Sequence, residues 1–377
     1  MKYITWTLAV LILLGGFGYL VLSHKNAPAS GEPIKVGVST ILTGDYAALG
    51  ENIVQTAKLA VAQVNAEGGI DGRPLELVVE DAGLDSKTGL AAAQKLINVE
   101  GVKYIIGGTS SNGTLAAAPL ANENKVIYMT PVTGGTNVDN AGEYIFRVAN
   151  GDTLAGKDLA DAALKLGFKN VATVTEVTEY TLDLKKSFES EIGKGGGTVV
   201  VSEEFQPGTD DFRTIVAKVK AKNPDAILIV SQTGIGGAYF VKQAREAGIA
   251  APFMSDFNFV LNTSAKDIVG SFEGIYFADP AYDADATTTK VFFAKYQETY
   301  GTPPFIAFHA ASTYDSVMLI AGALKAVGDD SQRVHDWLTT SVHGYTGLMG
   351  TYSLDTLGNS DLGFVVKVIR NGKPERI

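Results

Sequence analysis

The chain contains no cysteine in 377 residues. That absence excludes disulfide bridges, thiolate metal sites, cysteine nucleophiles and the lipid-modified cysteine that anchors many exported proteins. Histidine is nearly as scarce, with four in all: His24, His309, His335 and His343. None belongs to an H-E-x-x-H pair, and no serine lies in G-x-S-x-G, so the usual metallopeptidase and hydrolase signatures are missing. His309 and His335 fall on expected helices and read as structural or solvated. Basic residues form no block, and the formal net charge is -10. Nucleic acid and anionic membrane surfaces are therefore poor partners. Tandem repeats of roughly 20–50 residues and low-complexity tracts are also lacking.

What is present describes a globular chain. Hydrophobic residues make up 46% and charged residues 19%, enough apolar material for a core, and the length suits two domains. One long apolar run stands apart, uncharged from Ile4 through Leu22 and preceded by Lys2. A signal-peptide core spans roughly 7–15 residues and a membrane-crossing helix about 20; this run lies nearer the second length. Ala27, Pro28 and Ala29 supply small residues at a cleavage point. The expectation is export of everything from about Ile34 onward, with the leader either removed or kept as an N-terminal anchor. The flanking charges (Lys2 before, His24 and Lys25 after) are too balanced to set its orientation. Residues 23–33 read as a linker.

Beyond it the pattern is strand, helix, strand, helix. Residues 34–40 (IKVGVST) suit a buried strand, and Ile53, Ala57, Ala60, Val61 and Val64 recur at helical spacing. Gly68 and Gly69 end that helix, residues 75–80 form a second strand, and Asp85 and Ser86 are candidate caps for the next helix. The sequence restarts the alternation after Asp152, with strands expected at 171–175, 198–205, 226–230 and 253–254. A short strand at 275–277 and helices near 287–300, 306–327 and 331–340 come next. A two-stranded finish is expected at 351–354 and 364–369. The fold class is α/β, in two doubly wound parallel lobes.

Residues 102–136 hold the most informative unit. A short β-prone run (103–106) leads into Gly107, Gly108, Thr109, Ser110, Ser111, Asn112, Gly113 and Thr114. An alanine-rich helix follows, then a second strand and the loop Thr130, Pro131, Val132, Thr133, Gly134, Gly135, Thr136. Ligands in open parallel sheets lie outside the carboxyl ends of the strands. Ser111 falls near a helix start, where free N–H groups favour an anion. The glycine-rich turn is neither a Walker loop, having no Lys-Ser/Thr end, nor a G-x-G-x-x-G dinucleotide motif.

Several runs carry a family likeness: residues 65–77 (NAEGGIDGRPLEL), 102–108 (VKYIIGG), 205–212 (FQPGTDDF), 223–230 (NPDAILIV), 242–248 (KQAREAG) and 346–358 (TGLMGTYSLDTLG). With them the chain resembles the type I periplasmic binding proteins of branched-chain amino-acid ABC transporters, the leucine/isoleucine/valine-binding group. The likeness covers nearly everything after Ile34. It implies two lobes joined by a three-crossing hinge, one formed by residues 34–151 and 282–349, the other by 152–281 and 350–377. It further implies a non-enzymatic protein without cofactor or metal that encloses a small solute and delivers it to a membrane permease with its ATPase subunits. A ligand sensor for a membrane receptor is the rival role.

Carried over residue by residue, the likeness puts Ser111, with Asn112 beside it, on the ligand carboxylate. Val132 (through its carbonyl), Thr133 and Gly134 fall in the loop that holds the ligand's charged groups, although Gly134 lacks the family's hydroxyl and Thr133 or Thr136 would substitute. Tyr180 and Thr233 come from the second lobe, and Leu49, with Tyr46 nearby, takes an aromatic position of the first. The decisive pair is Asp256 and Phe257. Family members that bind amino acids carry an acid here against the ligand ammonium, and Phe257 occupies that register. Asp256 turned inward implies an α-amino acid. Phe257 turned inward implies a carboxylate or amide without a charged amine, aromatic ligands included. Asp152 reads first as a helix cap and second as an amine partner.

Overall fold

The computed structural model describes residues 30–44, 46–360 and 362–377. The apolar run 4–22 and the small residues 27–29 lie outside the described residues. Among those described, no helix is long and apolar enough to cross a membrane.

Five strands build the first sheet: β1 (Ile34–Thr40), β2 (Leu75–Asp81), β3 (Tyr104–Gly107), β4 (Ile127–Thr130) and β5 (Ile145–Arg147). Their order is β2-β1-β3-β4-β5 and every pairing is parallel. Parallel sheets need both faces covered, which explains the continuous apolar runs. Alternation then divides each strand between two cores. Val36, Val38, Tyr104, Ile106 and Met129 face the helices Ala47–Ala66 and Ala307–Val327. Ile105, Tyr128 and Ile145 face the helices Ser86–Gln94 and Ser111–Glu123. Asp85 caps the third of these helices in its first turn, accepting from the N–H groups of Lys87 and Thr88.

A second sheet follows the same plan with β6 (Asn170–Glu176), β7 (Thr198–Phe205), β8 (Ala226–Val230), β9 (Phe253–Asp256) and β10 (Tyr276–Pro280), all parallel. Two further strands, β13 (Phe364–Arg370) and β14 (Lys373–Arg376), join it, and its full order is β14-β13-β10-β9-β8-β6-β7. The chain passes between the sheets three times: after β5, after β10, and again between the helix Ser331–Ser341 and β13.

The chain's end departs from the two-stranded finish expected from the sequence. β12 (Gly350–Tyr352) pairs with β11 (Tyr345–Gly347) in a small hairpin, whereas β13 (Phe364–Arg370) runs antiparallel to β10 and carries β14 (Lys373–Arg376) on its outer edge. Local pattern identifies a strand but not its partner, and a partner 84 residues upstream (Pro280 against Phe364) leaves no local trace. The hairpin is clasped by Asp315, whose carboxylate accepts from the N–H of Leu348 (2.7 Å) and Met349 (3.1 Å).

Candidate functional site

Between the two sheets lies a narrow cleft with about 30 Å³ of water-accessible space. Most of its wall comes from the segments just after strand carboxyl ends. Tyr46 and Leu49 follow β1, Thr109 to Ser111 follow β3, and Val132 to Gly134 follow β4. Across the cleft Tyr180 follows β6, Gln232 follows β8, and Phe257 and Asn258 follow β9. Asn150 and Asp152 enter from the first crossing, Phe308 and His309 from the long helix Ala307–Val327.

One end of the cleft is polar. Ser110 is the N-cap of the helix Ser111–Glu123, its hydroxyl accepting from the Gly113 N–H at 3.1 Å. The first-turn N–H groups of Ser111 and Asn112 have no intrahelical acceptor, so the turn is disposed toward an anion. Ser111 is buried, and its hydroxyl accepts from the Gly135 N–H at 3.2 Å, which fastens the two ligand loops together. Thr133 is buried beside Thr130, their hydroxyls in contact, and its N–H donates to the Thr130 hydroxyl.

Asp152 faces this turn. It stands at the first position of the helix Asp152–Lys165, where Gly151 is the N-cap and no side-chain cap bond forms. Its N–H donates to the Gly134 carbonyl at 2.8 Å. The residue is 8% exposed, and its buried Oδ2 has no partner. Burial drives its pKa well above the ordinary carboxylate value; Arg147 opposes that rise, and Asp256, Asp183 and Asp139 add to it. Arg147 is committed elsewhere, to Asp139 at 2.7 Å and the Ala149 carbonyl at 3.0 Å. The missing hydroxyl at Gly134 now has a physical reason: a Cβ there would stand 2.2 Å from Asp152 Oδ1. Asn150 donates its amide N–H to the Gly363 carbonyl and leaves its own oxygen unpartnered.

The other end is aromatic. Phe257 meets Phe308 edge-on at 5.7 Å and His309 at 5.4 Å between ring centres. Such contacts give a rigid apolar wall with little side-chain entropy to lose. His309 is fully buried, which lowers its pKa to about 4 against a smaller upward pull from the Pro131 carbonyl. The imidazole is thus neutral at physiological pH.

Of the residues singled out from the sequence, Ser111, Val132, Thr133, Gly134, Tyr180 and Phe257 line the cleft together. Three do not. Asn112 stands behind the turn, its side-chain oxygen accepting from the Glu179 N–H of the opposite lobe at 3.1 Å. Thr233 is not part of the wall, its hydroxyl accepting from the Ile235 N–H at 3.4 Å, and Gln232 takes its place. Asp256 lies behind Phe257 as the N-cap of the short helix Phe257–Leu261, accepting from the Phe259 N–H at 3.1 Å and the Asn258 amide at 3.3 Å. Asn150, Phe308 and Phe364 were not singled out. An asparagine before a glycine and aromatics in apolar runs carry no signal of their own, and only the folded chain brings them together. Among the described residues no group of three or more His, Asp or Glu side chains converges as a metal site.

Two doubly wound lobes around an interlobe cleft, with wall residues at the strand ends, define a periplasmic-type solute-binding protein. The family model of periplasmic binding proteins matches residues 33–363, and the chain belongs to that family. It is 29% identical over 349 residues to the Leu/Ile/Val-binding protein of Escherichia coli (strain K12), covering 91% of this chain and 92% of that one. The branched-chain amino-acid substrate-binding protein LivJ of Streptococcus pneumoniae, solved with isoleucine, superposes with a TM-score of 0.82 at 27% identity, over 91% of this chain and 98% of that chain. An R. palustris solute-binding protein solved with 4-hydroxybenzoate shares the fold with a TM-score of 0.83 at 24% identity, covering 92% and 96%.

Proposed function

We propose that this chain is the capture component of an ABC importer, and that its cleft closes over a small α-amino acid. The observation that carries this reading is the pairing of the anion-seeking turn at Ser111 with the buried, unpartnered Oδ2 of Asp152. A carboxylate at the turn accepts from the Ser111 and Asn112 N–H groups, and the ammonium lies between Asp152 and Asn150. An unpaired buried carboxyl is costly, and a ligand cation removes that cost. Asp152 thereby takes the counter-ion role for which Asp256 was considered. Hinges near residues 151 and 281 and just before β13 let the lobes separate, and the ligand draws them together by touching both. Export follows from the family, and residues 4–22 would tether the chain if retained. A membrane permease with its ATPase subunits is the partner.

One observation favours a second reading: Phe257 in the cleft wall suits an aromatic carboxylate without an amine. A thermal-shift screen separates the two. Amino acids, short-chain acids, aromatic acids and amides are each offered to the full chain, and a ligand binding only the folded state raises Tm. An α-amino acid is expected to give the largest rise. A response confined to acids lacking an α-amine would overturn the reading.

A further inference from the structure

We propose, resting on the amino-acid reading, that the cleft is built for a side chain bearing a neutral hydrogen-bonding group, a hydroxyl or an amide, and that Tyr46 and His309 recognise it. The inference comes from accounting for the buried polar atoms of the cleft. Five side-chain atoms in its wall have no partner: Tyr46 OH, Asn150 Oδ1, Asp152 Oδ2, Tyr180 OH and His309 Nδ1. Each belongs to a residue at least nine-tenths buried. An α-ammonium uses Asp152 and Asn150, and an α-carboxylate takes the Tyr180 hydroxyl besides the helix N–H groups. Tyr46 and His309 remain, and neither end of the amino-acid backbone needs them.

Both residues are held in fixed roles. Tyr46 stands just before the helix Ala47–Ala66 and makes no cap bond with its side chain; its ring meets Phe305 edge-on at 5.9 Å. The His309 tautomer is set by its neighbours. The Asn258 amide nitrogen donates to Asp256, which turns the Asn258 oxygen toward His309 Nε2 at 3.3 Å. Nε2 therefore carries the proton and Nδ1 is a bare acceptor. The Pro131 carbonyl lies beside the ring and accepts from the Ser312 hydroxyl at 2.6 Å; with the proton on Nε2 it receives nothing from Nδ1. A hydroxyl on the ligand can donate to Nδ1 and accept from Tyr46. A methyl in that place leaves both dry and unpaired, and a site with buried polar groups discriminates strongly against an analogue that cannot pair them. No free counter-charge waits at this end, because Asp256 is engaged by Phe259 and Asn258. The preferred group is accordingly neutral.

Threonine and valine test this directly, having the same shape with a hydroxyl exchanged for a methyl. Titration calorimetry on the full chain is expected to show threonine binding at least about 10-fold more tightly than valine, with tyrosine over phenylalanine and glutamine over leucine in the same sense if those fit. Tyr46→Phe should reduce the threonine preference to within about two-fold, and His309→Phe should weaken threonine more than valine. Valine equal to or tighter than threonine overturns the proposal while leaving amino-acid capture intact. Failure of every amino acid to bind, with aromatic acids bound instead, overturns both readings. The wild-type comparison stands even if a variant does not fold.

Discussion

Replacing Asp152 by asparagine should weaken amino-acid binding and, at the same time, strengthen the empty protein. The binding loss follows from geometry. Breaking a buried ion pair by removing one partner costs about 3–5 kcal/mol. Asparagine keeps an acceptor oxygen and Asn150 remains, so the net loss should be ~2–4 kcal/mol, roughly 30- to 1,000-fold in Kd. The stability gain follows from linkage. Burial raises the Asp152 pKa well above its ordinary value, and the unfolded chain titrates normally, so the folded state holds the proton more tightly. This group's contribution to stability is therefore greatest below the unfolded pKa and is lost as pH rises through the folded pKa. Asp152→Asn removes that loss. The Tm of the ligand-free variant should exceed that of the wild type at pH 7–8, and the difference should shrink toward pH 4. Calorimetric titration gives the first quantity and differential scanning fluorimetry without ligand the second. Because the ammonium prefers the ionised carboxylate, wild-type binding should also release protons, seen as a buffer-dependent heat that the variant lacks. Undiminished affinity in the variant, or a lower ligand-free Tm at neutral pH, would refute the reasoning.

Other substitutions probe the remaining parts. Ser111→Ala should cost about 1–3 kcal/mol of binding by loosening the Gly135 loop and removing a hydroxyl from the anion turn; calorimetry reads it. Gly134→Ala places a Cβ 2.2 Å from Asp152 and 2.6 Å from the Asn150 carbonyl, so binding should fall at least about 10-fold with the fold retained by circular dichroism. The lobes also touch away from the ligand, where the Thr136 N–H donates to Asp183 at 2.7 Å and the Glu179 N–H to Asn112. Asn112→Ala with Asp183→Ala should raise the dissociation rate about 3- to 30-fold and leave association nearly unchanged, as stopped-flow fluorescence would show, since these contacts exist only when the lobes are together. At Asp315, whose pKa burial raises to about 7, stability should decline as pH rises from 4 to 7. Asp315→Asn should flatten that decline by on the order of 2 kcal/mol, measured from urea midpoints at pH 5 and pH 8.

The alternating elements were legible because a doubly wound lobe writes itself locally. Runs such as those of β3 and β8 are buried on both faces and read as unbroken apolar stretches, and the loops after them are rich in small residues. The Ser111 turn was visible for the same reason, since a cap, a helix and a strand are consecutive in the chain. What escaped was decided at long range. Asp256 and Phe257 are neighbours whose orientation depends on which begins a five-residue helix, and the backbone made Asp256 the cap. Thr233 and Gln232 differ by a one-residue turn of the loop after β8. Asp152 looked like a cap because its position is right for one; Gly151 fills that role and leaves the carboxyl facing the cleft. His309 lies on a helix whose buried face is mostly apolar, and only the arrival of Asn258 from the opposite lobe gives its ring a defined tautomer.

The bond from the Asp152 N–H to the Gly134 carbonyl sits where the chain first passes from one lobe to the other. On the proposed reading, in which Asp152 meets the ligand ammonium, the charge of the cargo would be sensed beside the axle of lobe closure. A slight adjustment beside the axle sweeps the outer surfaces through a much longer arc. On that reading a permease docking on those outer surfaces would distinguish a loaded carrier from an empty one without meeting the cargo.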